Sequence, residues 1–154
     1  MFAICAYTED VSWTNIYHYD KDARTLNYET SPHIKDLVQD WYNPPIAWAE
    51  QTGVVAGIGD GLFDPTANVT REEFAQMMYH YAEYKGYDLT ARGDLSRYPD
   101  GGTVAGWAQT AMEWANGNQL INGHDDGTLE PGGTTTRAQA ASILMRFDQN
   151  VVEN

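Results

Sequence analysis

Gly57-Ile58-Gly59-Asp60-Gly61-Leu62-Phe63-Asp64-Pro65, followed by Val69-Thr70-Arg71-Glu72-Glu73-Phe74, decides the fold, because the chain writes it again 66 positions later. The second version is Gly123-His124-Asp125-Asp126-Gly127-Thr128-Leu129-Glu130-Pro131, followed by Thr135-Thr136-Arg137-Ala138-Gln139-Ala140. Outward from these stretches, Trp41 pairs with Trp107, Trp48-Ala49 with Trp114-Ala115, and Val54-Val55 with Leu120-Ile121. Met77-Met78 pairs with Ile143-Leu144 and Tyr81 with Phe147, all without a gap. An internal repeat of this kind fixes the folding unit before any residue is assigned a task.

Each unit reads as helix, short apolar segment, glycine turn, helix. The second helix is the most firmly marked. Thr70 with Glu73, and Thr136 with Gln139, have the spacing of a capping box, in which the threonine hydroxyl and the residue three positions on satisfy each other's backbone N–H groups. Phe74, Met77, Met78, Tyr81 and Ala82 then recur at helical spacing up to Gly86, and Ala140, Ile143, Leu144 and Phe147 repeat the stripe. Val69 and Phe74 stand where a hydrophobic staple would be; Thr135 and Ala140 fill those places poorly. The first helix of the first unit is expected to take Asn43 as its cap and Pro44 as its first residue, and to end near Gly53. In the second unit Trp107, Ala111, Trp114 and Ala115 predict one apolar stripe, with Gly117 as the stop.

The fold class that follows is mainly α: tandem helix–loop–helix repeats packed as a helical bundle. The first repeat is expected over 34–86, and a glycine-rich linker with the second repeat over 87–154. Residues 1–33 match neither copy. Within them 15–19 and 26–30 could pair as a short β-hairpin across 20–25, or the segment could stand in for a third repeat.

Composition narrows the function. With 42% hydrophobic and 12% aromatic residues the chain is expected to fold around one sizeable core or two small ones. Nine Lys and Arg against 22 Asp and Glu give a formal charge of −13, which disfavours nucleic acid and anionic membrane surfaces as partners. Cys5 is the single cysteine, so neither an internal disulfide nor a CxxC zinc site is expected. The opening residues lack the basic leader of a signal peptide, and no apolar run reaches the ~20 residues that span a bilayer.

Catalytic and metal readings find little support. An EF-hand register on Asp60-Gly61 would put Ala56, Ile58 and Ala67 at ligand positions, and the second copy would put Gly133 at the bidentate one. His18, His33, His80 and His124 share no ligand spacing, and no nucleophile or phosphate-binding motif is present. No metal, no cofactor and no enzyme activity are expected. Acidic residues are plentiful, but nothing singles out a pair for glycoside hydrolysis.

Arg71 and Arg137 are the residues that folding alone does not explain. Each stands at a helix start, where the macrodipole disfavours a cation by about 0.3–1 kcal/mol. Each could fork onto loop carbonyls or an acid such as Asp60 or Asp126. Alternatively each could form a small anion pocket with the helix N–H groups. Trp48 and Trp114 read as core. Trp41 and Trp107 could frame a groove, tryptophan faces being suited to sugar rings, although burial is the ordinary expectation.

Taken together these motifs resemble the S-layer homology domain of bacterial cell-surface proteins. The resemblance rests on Ile34-Lys35-Asp36, Trp41, Trp48-Ala49, Gly57 to Pro65 and Thr70 to Glu73 in one copy. In the other it rests on Tyr98-Pro99-Asp100, Trp107, Trp114-Ala115, Gly123 to Pro131 and Thr136 to Gln139, so that it covers 34–150. It implies an extracellular module that anchors a surface protein noncovalently to secondary cell wall polymer, an anionic, often pyruvylated glycan. It also implies three repeats in a helical spindle with ligand grooves between them. Carried over by position, the binding residues are Arg71, Arg137, Asp36, Asp100, Trp41 and Trp107. The alternatives are a structural or protein-interaction module without polymer affinity, or the anchor of a larger surface enzyme or adhesin. The departures are Gln139 for the usual acid, Ile34 for the opening aromatic, the pair Pro44-Pro45, and two repeats instead of three. The missing partner could come from 1–33, from a missing segment, or from a homo-oligomer.

Overall fold

The computed structural model describes residues 33–37 and 41–153. The hairpin considered for 15–19 and 26–30 lies outside them. The described residues form four α-helices: α1 (Asn43–Gln51), α2 (Arg71–Lys85), α3 (Gln109–Gly117) and α4 (Arg137–Phe147). Short 3-10 turns at Leu95–Arg97 and Gly101–Thr103 lead into α3, and a π-helical turn, Asp148–Val152, follows α4. Extended pairing among the described residues is limited to the isolated bridges Gly59–Leu62 and Thr70–Thr134.

Both capping boxes form as the sequence predicts. Thr70 Oγ1 accepts from Glu73 N while Glu73 accepts from Thr70 N, and Thr136 and Gln139 do the same. Gly86 closes α2 in the left-handed conformation at φ 74°, which a side chain would disfavour. The apolar stripes meet in one core shared by both repeats. Phe74, Met78 and Ala82 of α2 are joined there by Ala111, Met112, Trp114 and Ala115 of α3 and by Ala140, Ile143 and Phe147 of α4. Trp114 is fully buried; its Nε1 donates to the Asp88 carbonyl, and its ring meets Tyr79 and Phe147 edge-on.

Three local expectations are corrected. Asn43 is the first residue of α1 and is buried, with Tyr42 as the cap. Pro44 therefore stands second, where its missing N–H is still one of the unpaired first-turn groups. Trp107 is not on the α3 stripe. It precedes the helix and is 57% exposed, and the buried face starts instead at Ala108 and runs through Ala111, Met112 and Ala115. Gly117 is the last helical residue, and Gln119 takes the left-handed conformation beyond it, at φ 60°. Gly117 is a glycine for packing reasons: a Cβ there would meet the Arg92 backbone at 2.8 Å.

Candidate functional site

The two glycine turns are built alike, each around an aspartate from the front of its own repeat. The Asp36 carboxylate accepts the N–H groups of Phe63 (2.9 Å) and Asp64 (2.8 Å). Asp100 accepts those of Leu129 and Glu130, both at 2.7 Å. These bonds hold Asp64 and Glu130 at φ 52° and 51°, a conformation costly for non-glycine residues. Backbone donation from Leu129 and Glu130 holds the Asp100 carboxyl below the ordinary range. For Asp36 burial opposes ionisation, and the N–H groups of Asp64 and Phe63 outweigh it.

The arginines are not equivalent. Arg71 is 5% exposed, and its guanidinium donates through Nε to the Leu129 carbonyl (2.9 Å) and through NH2 to the Asn122 carbonyl (2.7 Å). Both acceptors belong to the turn of the other repeat. Burial lowers its pKa; Glu130, Tyr98 and Asp100 act against that, and the guanidinium stays charged. The backbone completes the junction: Arg71 N donates to Gly133 O, Glu72 N to Pro131 O, and Thr135 N to Val69 O, each at 2.9 Å. The first-turn N–H groups of α2 are thus occupied, those of Arg71 and Glu72 by carbonyls of the second repeat and that of Glu73 by the Thr70 hydroxyl, and none is left over for an anion. Arg137 lies exposed at the start of α4.

Glu72, which the sequence did not single out, accepts the N–H of Ala105 at 3.0 Å. It ties the front of the second repeat to the start of α2, two residues before Trp107. Trp41 is 51% exposed and stands edge-on to Tyr42. The two front tryptophans are thus surface residues in both repeats, against the ordinary expectation of burial.

An open depression of about 640 Å³ lies at the second turn, lined by Asp100, His124, Asp125, Asp126, Thr128 and Glu130. Its field is negative, which suits neither an anionic ligand nor a polyphosphate. Asp126 is already engaged by Thr128, and Glu130 lies 3.2 Å from His124 Nε2. Among the described residues no cluster of three or more His, Cys, Asp or Glu is arranged to hold a metal ion.

This geometry defines a tandem-repeat helical module in which the start of one repeat's second helix plugs into the turn of the next, with one exposed tryptophan at the front of each repeat. The chain belongs to the S-layer homology domain family, whose model matches residues 33–75 and 97–141. It is similar to the surface-layer 125 kDa protein of Lysinibacillus sphaericus, 31% identical over 84% of this chain and 11% of that protein. An endoglucanase of Bacillus sp. (strain KSM-635) is 31% identical over 69% of this chain and 11% of its own length. The cellulosome-anchoring protein of Acetivibrio thermocellus is 30% identical over 64% of this chain and 22% of that protein. The chain spans about a tenth of the length of the first two relatives. Family membership places it at the cell surface, and among the described residues no helix is long and apolar enough to cross a membrane.

Proposed function

We propose that this chain is a noncatalytic anchor that holds a surface protein to the bacterial cell wall by binding an anionic wall glycan. The observation that carries this reading is the pair Trp41 and Trp107, both more than half exposed at equivalent positions of repeats whose other tryptophans, Trp48 and Trp114, pack on the core. An indole face held at the surface suits stacking on a sugar ring, and its loss of motion on binding is small. The names of the relatives support it: a surface-layer protein, a cellulosome-anchoring protein, and an enzyme matched over about a tenth of its length.

The residues divide the work. Trp41 and Trp107 contact sugar. Arg137, exposed at a helix start, meets the anionic group, where charge-assisted hydrogen bonds are strongest. Asp36, Asp100 and Arg71 act by shape: the aspartates hold the turns, and Arg71 holds one repeat against the other. The test is co-sedimentation of the whole chain with purified wall sacculi, before and after chemical removal of the secondary polymer. Binding that disappears with the polymer, and with W41A/W107A, supports the reading; binding that survives both defeats it.

A second reading, a repeat module that joins proteins without touching glycan, is favoured by the use of Arg71 for carbonyls of its own chain. No binding to any wall preparation, together with intact helical structure, would select it.

A further inference from the structure

The front of each repeat sets a basic side chain against the last turn of that repeat's first helix. His33 precedes Ile34 as Arg97 precedes Tyr98, and Glu50 follows Trp48-Ala49 as Asn116 follows Trp114-Ala115. In the first repeat the basic group meets a carboxylate: His33 Nδ1 lies 3.1 Å from Glu50 Oε1. In the second repeat the carboxylate is replaced by a neutral amide, and Arg97 NH2 donates to Asn116 Oδ1 at 3.2 Å. A position that is closed on an acid in one repeat therefore carries a cation on an uncharged partner in the other.

Arg97 is also held in place. Its NH2 donates to the Tyr98 hydroxyl at 2.7 Å, and its guanidinium carbon stands 4.9 Å from the centre of the Tyr98 ring. Tyr98 and Asn116 are buried and bonded to each other, so this corner of the guanidinium is fixed to the rigid part of the repeat. A guanidinium has five N–H groups. Those on Nε and NH1 donate to nothing among the described residues, and the side chain is exposed. Nor does any carboxylate lie within ion-pair distance of it there. Asp94, held low first by the Ser96 hydroxyl and N–H, feels the charge of Arg97 last.

A second cation shares this end of α3. The backbone of Arg92 packs on Gly117, next to Asn116, and its NH1 turns back to the Leu89 and Ala91 carbonyls. A helix C-terminus favours cations by about 0.3–1 kcal/mol, which accounts for the presence of these charges. It does not account for a guanidinium pinned at one corner with its remaining donors in solvent. Such a group has already lost the rotamer freedom that a ligand would otherwise have to remove.

We infer that Arg97 is an anion-binding position for the wall glycan, its NH1 and Nε groups donating to a carboxylate or phosphate oxygen of the polymer. The inference rests on the proposed anchoring and adds to it a contact on the second repeat, away from the helix starts. The equivalent place in the first repeat, with Glu50 beside His33, is closed to an anion.

Calorimetric titration of the whole chain with polymer released from sacculi tests it, with melting temperatures measured alongside. R97Q removes the charge and keeps an amide donor for the Tyr98 hydroxyl; R97K keeps the charge. R97Q is expected to bind about tenfold more weakly than wild type, the loss of one charge-assisted hydrogen bond, at an unchanged melting temperature, and R97K to recover part of the loss. The deficit should shrink as salt is raised, because an exposed charge is screened. Amidating the polymer carboxylates with a carbodiimide, which spares phosphate, separates the two sources. Wild type and R97Q bind the amidated polymer alike if the anion is a carboxylate, and keep their difference if it is a phosphate. R97Q binding the intact polymer as tightly as wild type overturns the inference and leaves the anchor standing. A deficit that ignores salt, or that follows a fall in melting temperature in both variants, makes Arg97 structural and overturns it too. A wild-type chain that binds no polymer defeats the anchor itself, and the inference with it.

Discussion

The Arg71 guanidinium crosses the repeat boundary and donates to the Leu129 carbonyl, Nε to O 2.9 Å, at a residue with no exposed surface. A second bond, to the Asn122 carbonyl, makes it a fork onto two acceptors. Hydrogen bonds from a charged donor are worth about 1.5–3 kcal/mol each, and stranding a buried acceptor adds desolvation. Arg71→Ala is therefore expected to cost about 2–4 kcal/mol in urea unfolding, with Arg71→Lys recovering little because a single ammonium cannot fork. Arg137→Ala, at an exposed position, is expected to stay within about 0.5 kcal/mol of wild type in the monomer. Equal losses at the two arginines would contradict the asymmetry of the junction.

Tyr98 is the hub of a smaller polar network behind the second turn. Its hydroxyl accepts from Arg97 NH2 (2.7 Å), Asn116 Nδ2 (2.9 Å) and Gly123 N (3.3 Å). Burial pushes the phenol up, but donation from Arg97, Asn116 and Gly123 and the Arg97 charge bring it below its ordinary value. Tyr81, by contrast, is pushed up to about 12 by burial first and by Tyr87 and Tyr84 next. Tyr98→Phe is expected to destabilise by about 1–3 kcal/mol, since three donors lose one acceptor. In a spectrophotometric titration it should delete an early-ionising tyrosine and leave the late one, Tyr81, in place. A deletion at the late end would reverse the assignment.

Acid should loosen the turns before it melts the core. Asp36 and Asp100 accept backbone N–H groups only in the folded chain, so their folded pKa values lie below the ordinary 3.8. A depressed carboxylate contributes its full stabilisation above the unfolded pKa and loses it as pH falls through the lower folded value. The melting temperature of the wild-type chain should therefore fall as pH drops below about 4, while D36N/D100N starts lower at neutral pH and falls less steeply. Parallel pH profiles would show that other carboxylates dominate; Asp88, Asp94 and Asp126, held down by turn hydrogen bonds from Thr90, Ser96 and Thr128, are the candidates.

Much of this architecture was legible because it is local. The capping boxes at Thr70 and Thr136 and the Gly86 stop lie within a few residues of their partners, and each formed as read. The fate of Arg71 was not legible: its acceptors are 51 and 58 positions away, and they are backbone carbonyls that carry no residue identity. The same holds for Gly117, whose missing side chain makes room for the backbone of Arg92. Trp107 was misread because helical spacing continues backward from Ala111, while the chain turns at Ala105, whose N–H is taken by Glu72 of the other repeat. The pairing of Asp36 and Asp100 with the turns had only a partial signal, since the aspartates precede Phe63 and Leu129 by 27 and 29 positions, out of step with the 66-residue repeat.

Two tryptophans of the second repeat separate folding from binding. Trp114 has no exposed surface, packs on Tyr79 and Phe147, and donates its indole N–H to Asp88 O. Trp114→Ala should cost about 3–5 kcal/mol, the range for removing a large buried aromatic. Trp107 is 57% exposed, and Trp107→Ala should shift stability by about 0.5 kcal/mol or less. If the front tryptophans stack on wall sugar, Trp107→Ala at unchanged melting temperature should reduce sacculus binding at least tenfold, and Trp107→Phe should recover part of it because a flat aromatic face remains. Quenching of tryptophan fluorescence on adding polymer should shrink in the same variant. Undiminished binding and quenching in Trp107→Ala would move the contact to Trp41 or to the start of α4. Loss of binding only in variants that also lose stability would mean that the surface itself makes no contact.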